Sequence, residues 1–166
     1  MCVPSWLKSL GGIMINSVIE NKINEVINLY CVRQAVGNST SLSLGFGKKD
    51  NEASSGEYRE WEIGTYSSNW RVIKNKQVIC ACLDDVETNE ELDEKLKTIS
   101  FGSIRAVSQN DVGDVTLSFD NFVLVEILCL SDEDDEMFHV FCPNSEYIEY
   151  NPCSGWRIGR SDSPWK

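Results

Sequence analysis

Short segments in which apolar and polar residues alternate, separated by turn residues, recur along most of this chain and restrict it to a β-rich fold. Residues 115–119 form one such segment, and Asp120-Asn121 then predicts a two-residue hairpin turn into the apolar segment 122–130. A period of two places alternate side chains on opposite faces of a strand, so that one face can be buried. About ten short strands and two short helices together predict an α+β fold dominated by antiparallel sheet.

Two segments carry helix signals. Pro4 suits a first helical position and Gly11-Gly12 suits a helix end, which predicts a short helix near the amino terminus. Thr88 followed by Glu91 is a capping box that predicts the start of a second helix. The apolar residues of this second helix recur at helical spacing and should pack on a sheet; they are Leu92, Leu96 and Ile99.

The chain also contains an internal similarity. Residues 7–30 align without a gap on residues 96–119, at an offset of 89, with six identities and five conservative pairs. A second pair of segments, 68–72 and 154–158, shares a Trp-Arg step followed by a β-branched residue. These matches indicate an internal repeat, and chance similarity between short strands is the alternative.

From this similarity we predict a single compact domain, residues 1–166, made of two similar β-rich units at about 4–83 and 88–160. A short helix should precede the strands in each unit. In the first unit the alignment predicts strands at 13–19 and around 26–30.

The composition is strongly acidic. Twenty-six acidic residues against fifteen basic ones give a net charge of −11, and the pI is about 4.5. Direct binding to nucleic acid is disfavoured, because it depends on a basic face that releases counterions. The imbalance instead favours attraction to a basic partner.

Nearly half of the acidic residues lie in two stretches. Residues 84–94 contain seven, several of which fall in the first turn of the predicted helix, where the helix dipole favours them. Residues 132–136 are five consecutive acids at a predicted hairpin tip, and they are explained either as a solvated turn that hinders aggregation or as a docking site for a basic partner. The candidate binding residues are Asp84, Asp85 and Glu87 in the first stretch, Asp132, Glu133, Asp134, Asp135 and Glu136 in the second, and Trp165 near the chain end.

Catalytic and metal-binding motifs are missing from the sequence. His139 is the single histidine and lies in a strand pattern with no nucleophile motif beside it, so we expect a partly buried structural histidine. Seven scattered cysteines include no Cys-x-x-Cys pair, which predicts reduced, mostly buried thiols and no zinc site. No phosphate-binding glycine loop or calcium loop is present. We therefore predict no catalytic residue, no metal and no cofactor.

The tryptophans and two arginines are expected to be structural. Trp61, Trp70 and Trp156 fall in predicted strands and should pack in the core. Arg71 and Arg157 follow two of them and should form salt bridges, with Glu62 or Glu149 as the expected partners. The amino terminus lacks a basic region followed by an apolar stretch, so no signal peptide is predicted. Glu126 interrupts the longest apolar run, so no membrane span is predicted either. A cytoplasmic location without membrane association is therefore expected.

One bacterial protein class resembles this pattern. The run 113–121, the apolar strand and acidic turn after it, and the terminal Gly155-Trp156-Arg157 resemble small β-rich proteins of toxin–immunity loci. The earlier Trp70-Arg71-Val72 strand and the acidic helix are similar to the same proteins, so the resemblance spans about residues 57–160. It implies an immunity protein that binds one cognate toxin domain and has no activity of its own, and contact-dependent growth inhibition is one system in which such proteins occur.

Two functions follow as hypotheses. The first is a one-to-one complex with a basic toxin domain, which is expected to be a nuclease. In this complex the acidic residues occlude the substrate groove of the toxin. The second is a small ligand-binding β module or enzyme with a site between the two repeats, where the paired Trp-Arg elements would line a cleft.

Overall fold

The computed structural model describes residues 17–50, 57–66 and 69–162, and within them it contains two α-helices and eleven strands. The predicted α+β class is confirmed, because every strand pair is antiparallel. In chain order the elements are α1 (Ser17–Asn24), β1 (Cys31–Val36), β2 (Leu42–Lys49), β3 (Arg59–Gly64), β4 (Asn69–Lys74), β5 (Gln77–Ala81), α2 (Asn89–Lys97), β6 (Ile104–Gln109), β7 (Val115–Phe119), β8 (Val123–Leu128), β9 (Phe138–Cys142), β10 (Glu146–Asn151) and β11 (Gly155–Arg160).

The strands form two sheets that each combine both halves of the chain. One sheet has six strands in the order β1-β2-β3-β9-β10-β11, and the other has five in the order β5-β4-β8-β7-β6. Each sheet therefore joins a three-strand meander from one half to a hairpin from the other half, and the six-stranded sheet gains β11 as an extra edge strand.

One cluster of buried apolar side chains contains residues from both sheets and both helices. Trp61 and Trp70 are buried in it, as expected. Trp156 is half-buried, lies against Phe138 and Tyr150, and donates its indole N–H to Gln109 at 3.0 Å. The core therefore holds the two sheets together and is continuous across both halves.

Several features of the first half recur in the second half at an offset of 73 residues. The buried helix residues Ile19 and Ile23 correspond to Leu92 and Leu96 at this offset. Each helix is followed by a strand whose first residues form a bulge, at 31–33 in β1 and at 104–106 in β6. The same local irregularity at equivalent positions is strong evidence that the two units share one backbone plan.

Backbone hydrogen bonds and one aromatic contact join the two halves at equivalent positions. Cys31 donates its N–H to the carbonyl of Gly102 at 2.9 Å, and Ile104 donates to Leu29 at 3.0 Å, so the two hydrogen bonds are equivalent. Phe46 stacks on Phe119, with ring centroids 6.3 Å apart and an interplanar angle of 10°. An offset of 73 converts each of these hydrogen bonds into the other, and it also relates Phe46 to Phe119, so the contacts have an approximate two-fold arrangement.

The structure corrects the prediction for the first unit. Residues 17–24 form helix α1 instead of the end of a strand, and residues 25–28 form a turn. Ile19, Ile23 and Val26 are spaced by four and three, which is the helical period, and all three are buried. The alignment at an offset of 89 therefore does not coincide with the structural repeat, and the helix predicted near Pro4 lies outside the described residues.

The second helix begins as predicted. The side chain of Thr88 accepts the N–H of Glu91 at 3.2 Å, and the Glu91 carboxylate accepts the N–H of Glu87 at 3.0 Å. Helix α2 packs on β1 and reaches β5, while α1 lies near β11. Neither helix in the described part of the chain has the length and apolar character needed to cross a membrane.

Exchange of the hairpins makes each half depend on the other. We predict that fragments 1–84 and 85–166 will each lack cooperative unfolding when alone and will fold when mixed, because Trp70 and Val72 of β4 are buried against strands of the second half. Circular dichroism with thermal denaturation of each fragment and of the equimolar mixture tests this. Cooperative unfolding of either fragment alone would contradict it.

Thiol reactivity should follow burial. Burial raises the pKa of Cys31 and of Cys142 to about 12 and that of Cys80 to about 11. These thiols therefore stay protonated at pH 8, and iodoacetamide should leave them unmodified in the native protein, since the thiolate is the reactive form. Cys153 is exposed and should be alkylated first, as residue-level mass spectrometry would show. Equal labelling of all four before unfolding would refute the expectation.

Candidate functional site

The five consecutive acids lie in a connection between the two sheets. We call residues 129–137 the acidic loop; it leaves β8 in the five-stranded sheet and enters β9 in the six-stranded sheet. The predicted hairpin tip is therefore wrong. β8 already has β4 and β7 as neighbours, and β9 pairs instead with β3 and β10, as in the Ile63–Val140 pair.

Several hydrogen bonds fix the acidic loop at its ends. The N–H of Cys129 donates to the Asp114 carboxylate at 2.8 Å, and the N–H of Met137 donates to the carbonyl of Tyr150 at 2.9 Å. Between them, Asn151 donates its amide to Asp134 at 2.8 Å. The loop is thus held against the turn between β10 and β11.

Four of the five acids face solvent. Asp132, Glu133, Asp134 and Asp135 are exposed. Within the described part of the chain, neither Asp132 nor Glu133 forms an ion pair with a lysine or arginine. The loop therefore presents closely spaced negative charges, and those of Asp132 and Glu133 are not neutralised by a basic side chain of the described residues.

Glu136 is different, because its side chain turns inward and is only 12% exposed. One carboxylate oxygen contacts Nδ1 of His139 and the other accepts from the hydroxyl of Tyr147. Tyr147 also lies 3.3 Å from Glu149, which pairs with Arg157. Glu136 is therefore a structural residue of the loop, and its assignment as a partner-binding candidate is not supported by its geometry.

This network belongs to the outer face of the six-stranded sheet. Gly64, His139, Glu149 and Arg157 lie directly opposite one another on four successive strands. A side chain at Gly64 would collide with the carbonyl of Leu42 and come within 3.3 Å of His139 Nε2. Glycine at this position thus lets the polar side chains of the face pack closely.

Burial has clear electrostatic effects here. Desolvation raises the pKa of the Tyr147 hydroxyl, and the hydrogen bond to Glu136 and its negative charge raise it further. The Tyr66 ring lies 4.7 Å from the His139 ring, and burial followed by the charge of Glu136 raises the pKa of Tyr66 as well. Both phenols therefore remain neutral hydrogen-bonding groups at physiological pH.

His139 lies in a strand, β9, as predicted, and it is buried where partial burial was expected. Within the described residues, Glu136 is its hydrogen-bonding partner, and no serine, threonine or cysteine side chain hydrogen-bonds to its ring. No group of three or more His, Cys, Asp and Glu side chains is arranged to hold a metal ion in the described segments. A groove of about 1220 Å³ lies on the outer face of the six-stranded sheet, and its lining includes Arg33, Glu62 and Tyr66.

The first acidic stretch has mainly structural roles. Asp84 pairs with Lys95 at 2.6 Å and accepts the N–H of Ala81 at 3.0 Å, and its hydrogen bond raises the pKa of Lys95. Asp85 and Glu87 are exposed. Helix α2 packs on β1, one edge of the six-stranded sheet, whereas the acidic loop is tied to the opposite edge, so the structure does not bring the two stretches together. Trp165 lies outside the described residues.

The two arginines after the matched tryptophans do form salt bridges, but on different sheets. Arg157 pairs with Glu149, as expected. Arg71 pairs with Glu126 at 2.5 Å, because Glu126 lies directly opposite it on β8, whereas Glu62 belongs to the other sheet and pairs with Arg33. Since Arg71 and Arg157 lie on the outer faces of different sheets, they line no common cleft between the two units.

The sequence prediction missed a row of outward-facing apolar residues, of which two are exposed and two are partly exposed. We call it the β8 stripe: Phe122, Leu124, Leu128 and Leu130. The segment was recognised as an apolar strand, and its strict alternation with Val123, Val125 and Ile127 was the signal that one apolar set had to face away from the core.

Comparisons of this chain with models of known protein families, with curated proteins and with solved structures found no match.

The inward position of Glu136 gives a testable difference in stability. Glu136→Ala should lower the free energy of unfolding by roughly 2–3 kcal/mol, because it removes the acceptor of the buried His139 ring and one of the two acceptors near the Tyr147 hydroxyl. Glu133→Ala, the matched exposed control, should change it by less than about 0.5 kcal/mol. Urea denaturation measures both, and equal midpoints for the two variants would rule out the structural role of Glu136.

Proposed function

We propose that this chain is an immunity-type inhibitor that binds a basic domain of a bacterial toxin one-to-one through the acidic loop. The supporting observation is that this loop is longer than the fold requires. In the other half, the equivalent connection runs from the end of β3 at Gly64 to the start of β4 at Asn69, whereas the acidic loop takes nine residues from the end of β8 to the start of β9.

A purely protective role for these acids finds little support. Charged residues hinder aggregation chiefly at the exposed edges of sheets. β8 is the central strand of its sheet and β9 is an inner strand of the other, so neither has an edge to protect. Recognition of a partner is the better explanation for an exposed acidic insertion.

The loop also has the properties of a preformed binding element. Its ends are fixed by hydrogen bonds, so binding would cost less ordering entropy than docking of a free segment. The chain carries a net charge of −11, which would speed encounter with a basic domain, and salt would suppress that gain. On the surface of a nuclease, the carboxylates would occupy positions that substrate phosphates otherwise take.

Neutralising the loop should therefore weaken binding without unfolding the chain. The variant Asp132→Asn, Glu133→Gln, Asp135→Asn keeps the shape of the loop and removes three charges. The matched control Asp85→Asn, Glu87→Gln, Glu90→Gln removes three exposed charges at the other edge of the molecule. Against a basic toxin domain, to be sought among the genes beside this one, the loop variant should bind at least about tenfold more weakly, and the control should bind within about threefold of wild type.

The measurements are isothermal titration at low and high salt and survival of bacterial cells that express the toxic domain. Equal affinity and protection by the loop variant would contradict the role of the acidic loop. Absence of any binding by the wild-type chain would contradict the inhibitor function itself.

A further inference from the structure

We propose that the partner covers the outer face of the five-stranded sheet, with the β8 stripe at the centre of the interface and the acidic loop at its margin. This inference rests on the proposed function, because it takes a basic protein domain as the partner. It assigns the largest part of the contact to residues other than the acids.

The β8 stripe runs along the middle of this face. β8 is the central strand of five, and Val123, Val125 and Ile127 are fully buried on its inner side. The alternate residues Leu124, Glu126 and Leu128 therefore point outward, and all three are partly exposed. Leu130 continues beyond the strand end with 68% exposure and leads directly into the acidic loop.

Phe122 is the strongest single indication. It is 81% exposed and has a φ of 59°, in the left-handed region that favours glycine and asparagine. Neither the turn geometry nor solubility favours a phenylalanine there. Large aromatic residues are typical anchors at protein interfaces, which explains why one occupies this position.

The other half of the molecule provides an internal comparison. In the six-stranded sheet, Glu62 and Gly64 of β3 occupy the positions that Leu124 and Glu126 hold in β8, as the strand registers show. Glu62 is buried there in a salt bridge with Arg33. The backbone plan therefore accepts a polar residue at this site, and an outward leucine is not a requirement of the fold.

The surroundings of the stripe match the anatomy of an interface. Leu124 is opposite Ile73 of β4, and the charges of Glu126 and Arg71 neutralise each other in a pair at 2.5 Å. The apolar centre is thus bordered at one end by the acidic loop. Protein interfaces commonly have this arrangement, with an apolar core and a polar rim. A basic partner complements this margin, whereas a second copy with a net charge of −11 would be repelled.

Two substitutions test the inference without relying on unstable variants. Phe122→Asn suits the left-handed backbone, so its Tm should equal or exceed that of the wild type. Leu124→Thr retains a residue with high β propensity. Each variant should raise the Kd for the same basic toxin domain by at least about tenfold. Val32→Thr, the control, replaces an exposed apolar residue on the six-stranded sheet and should leave Kd within about twofold of wild type.

Carbene footprinting of the complex adds a direct readout. Labelling of Phe122 and Leu128 should fall on binding, while labelling of Tyr58 on the other sheet should persist. If wild type binds and both variants bind equally well, this inference is overturned and the proposed function stands. If wild type does not bind, both are overturned. A wild-type dimer in sedimentation that Leu124→Thr converts to monomer would show a second copy on this face and would also overturn the inference.

Discussion

The exchange of hairpins between the two halves is the constraint on which the rest of the structure depends. Each sheet is completed by strands from the other half, and the halves are joined near the approximate axis by the equivalent hydrogen bonds Cys31–Gly102 and Ile104–Leu29. Stacking of Phe46 on Phe119 fills the space between them. Each meander is thus completed at one edge by the hairpin of the other half, through the β3–β9 and β4–β8 pairs.

Within this shared plan the two outer sheet faces have different chemistry. On the six-stranded sheet, Glu62, His139 and Glu149 are buried and satisfied by neighbouring side chains, so the polar groups are committed to one another. On the five-stranded sheet the central strand β8, which corresponds to β3, has partly exposed leucines at Leu124 and Leu128. The first face therefore carries polar groups that are paired with one another beside a groove, and the second presents partly exposed leucines.

The fold class, helix α2 and the strands of the second half could be predicted from the sequence because their signals are local: a capping box at Thr88 and clear period-two alternation. The exchange could not be predicted, because strand pairing across 49 to 79 residues leaves no local signal and residues 124–142 suit a hairpin as well as a crossover. The inward turn of Glu136 was equally hidden, since it depends on His139 and Tyr147 meeting in the folded sheet. Exposure of Asp132 and Glu133, in contrast, followed directly from consecutive like charges.

The extra length of the acidic loop has a consequence for sequence change. The loop is anchored at residues 129 and 137, and its central side chains point away from the core. Substitutions at Asp132, Glu133 and Asp135 therefore alter the surface without changing the packing of either sheet. A protein built in this way can acquire a new binding preference in one short segment while its folding remains governed by residues elsewhere.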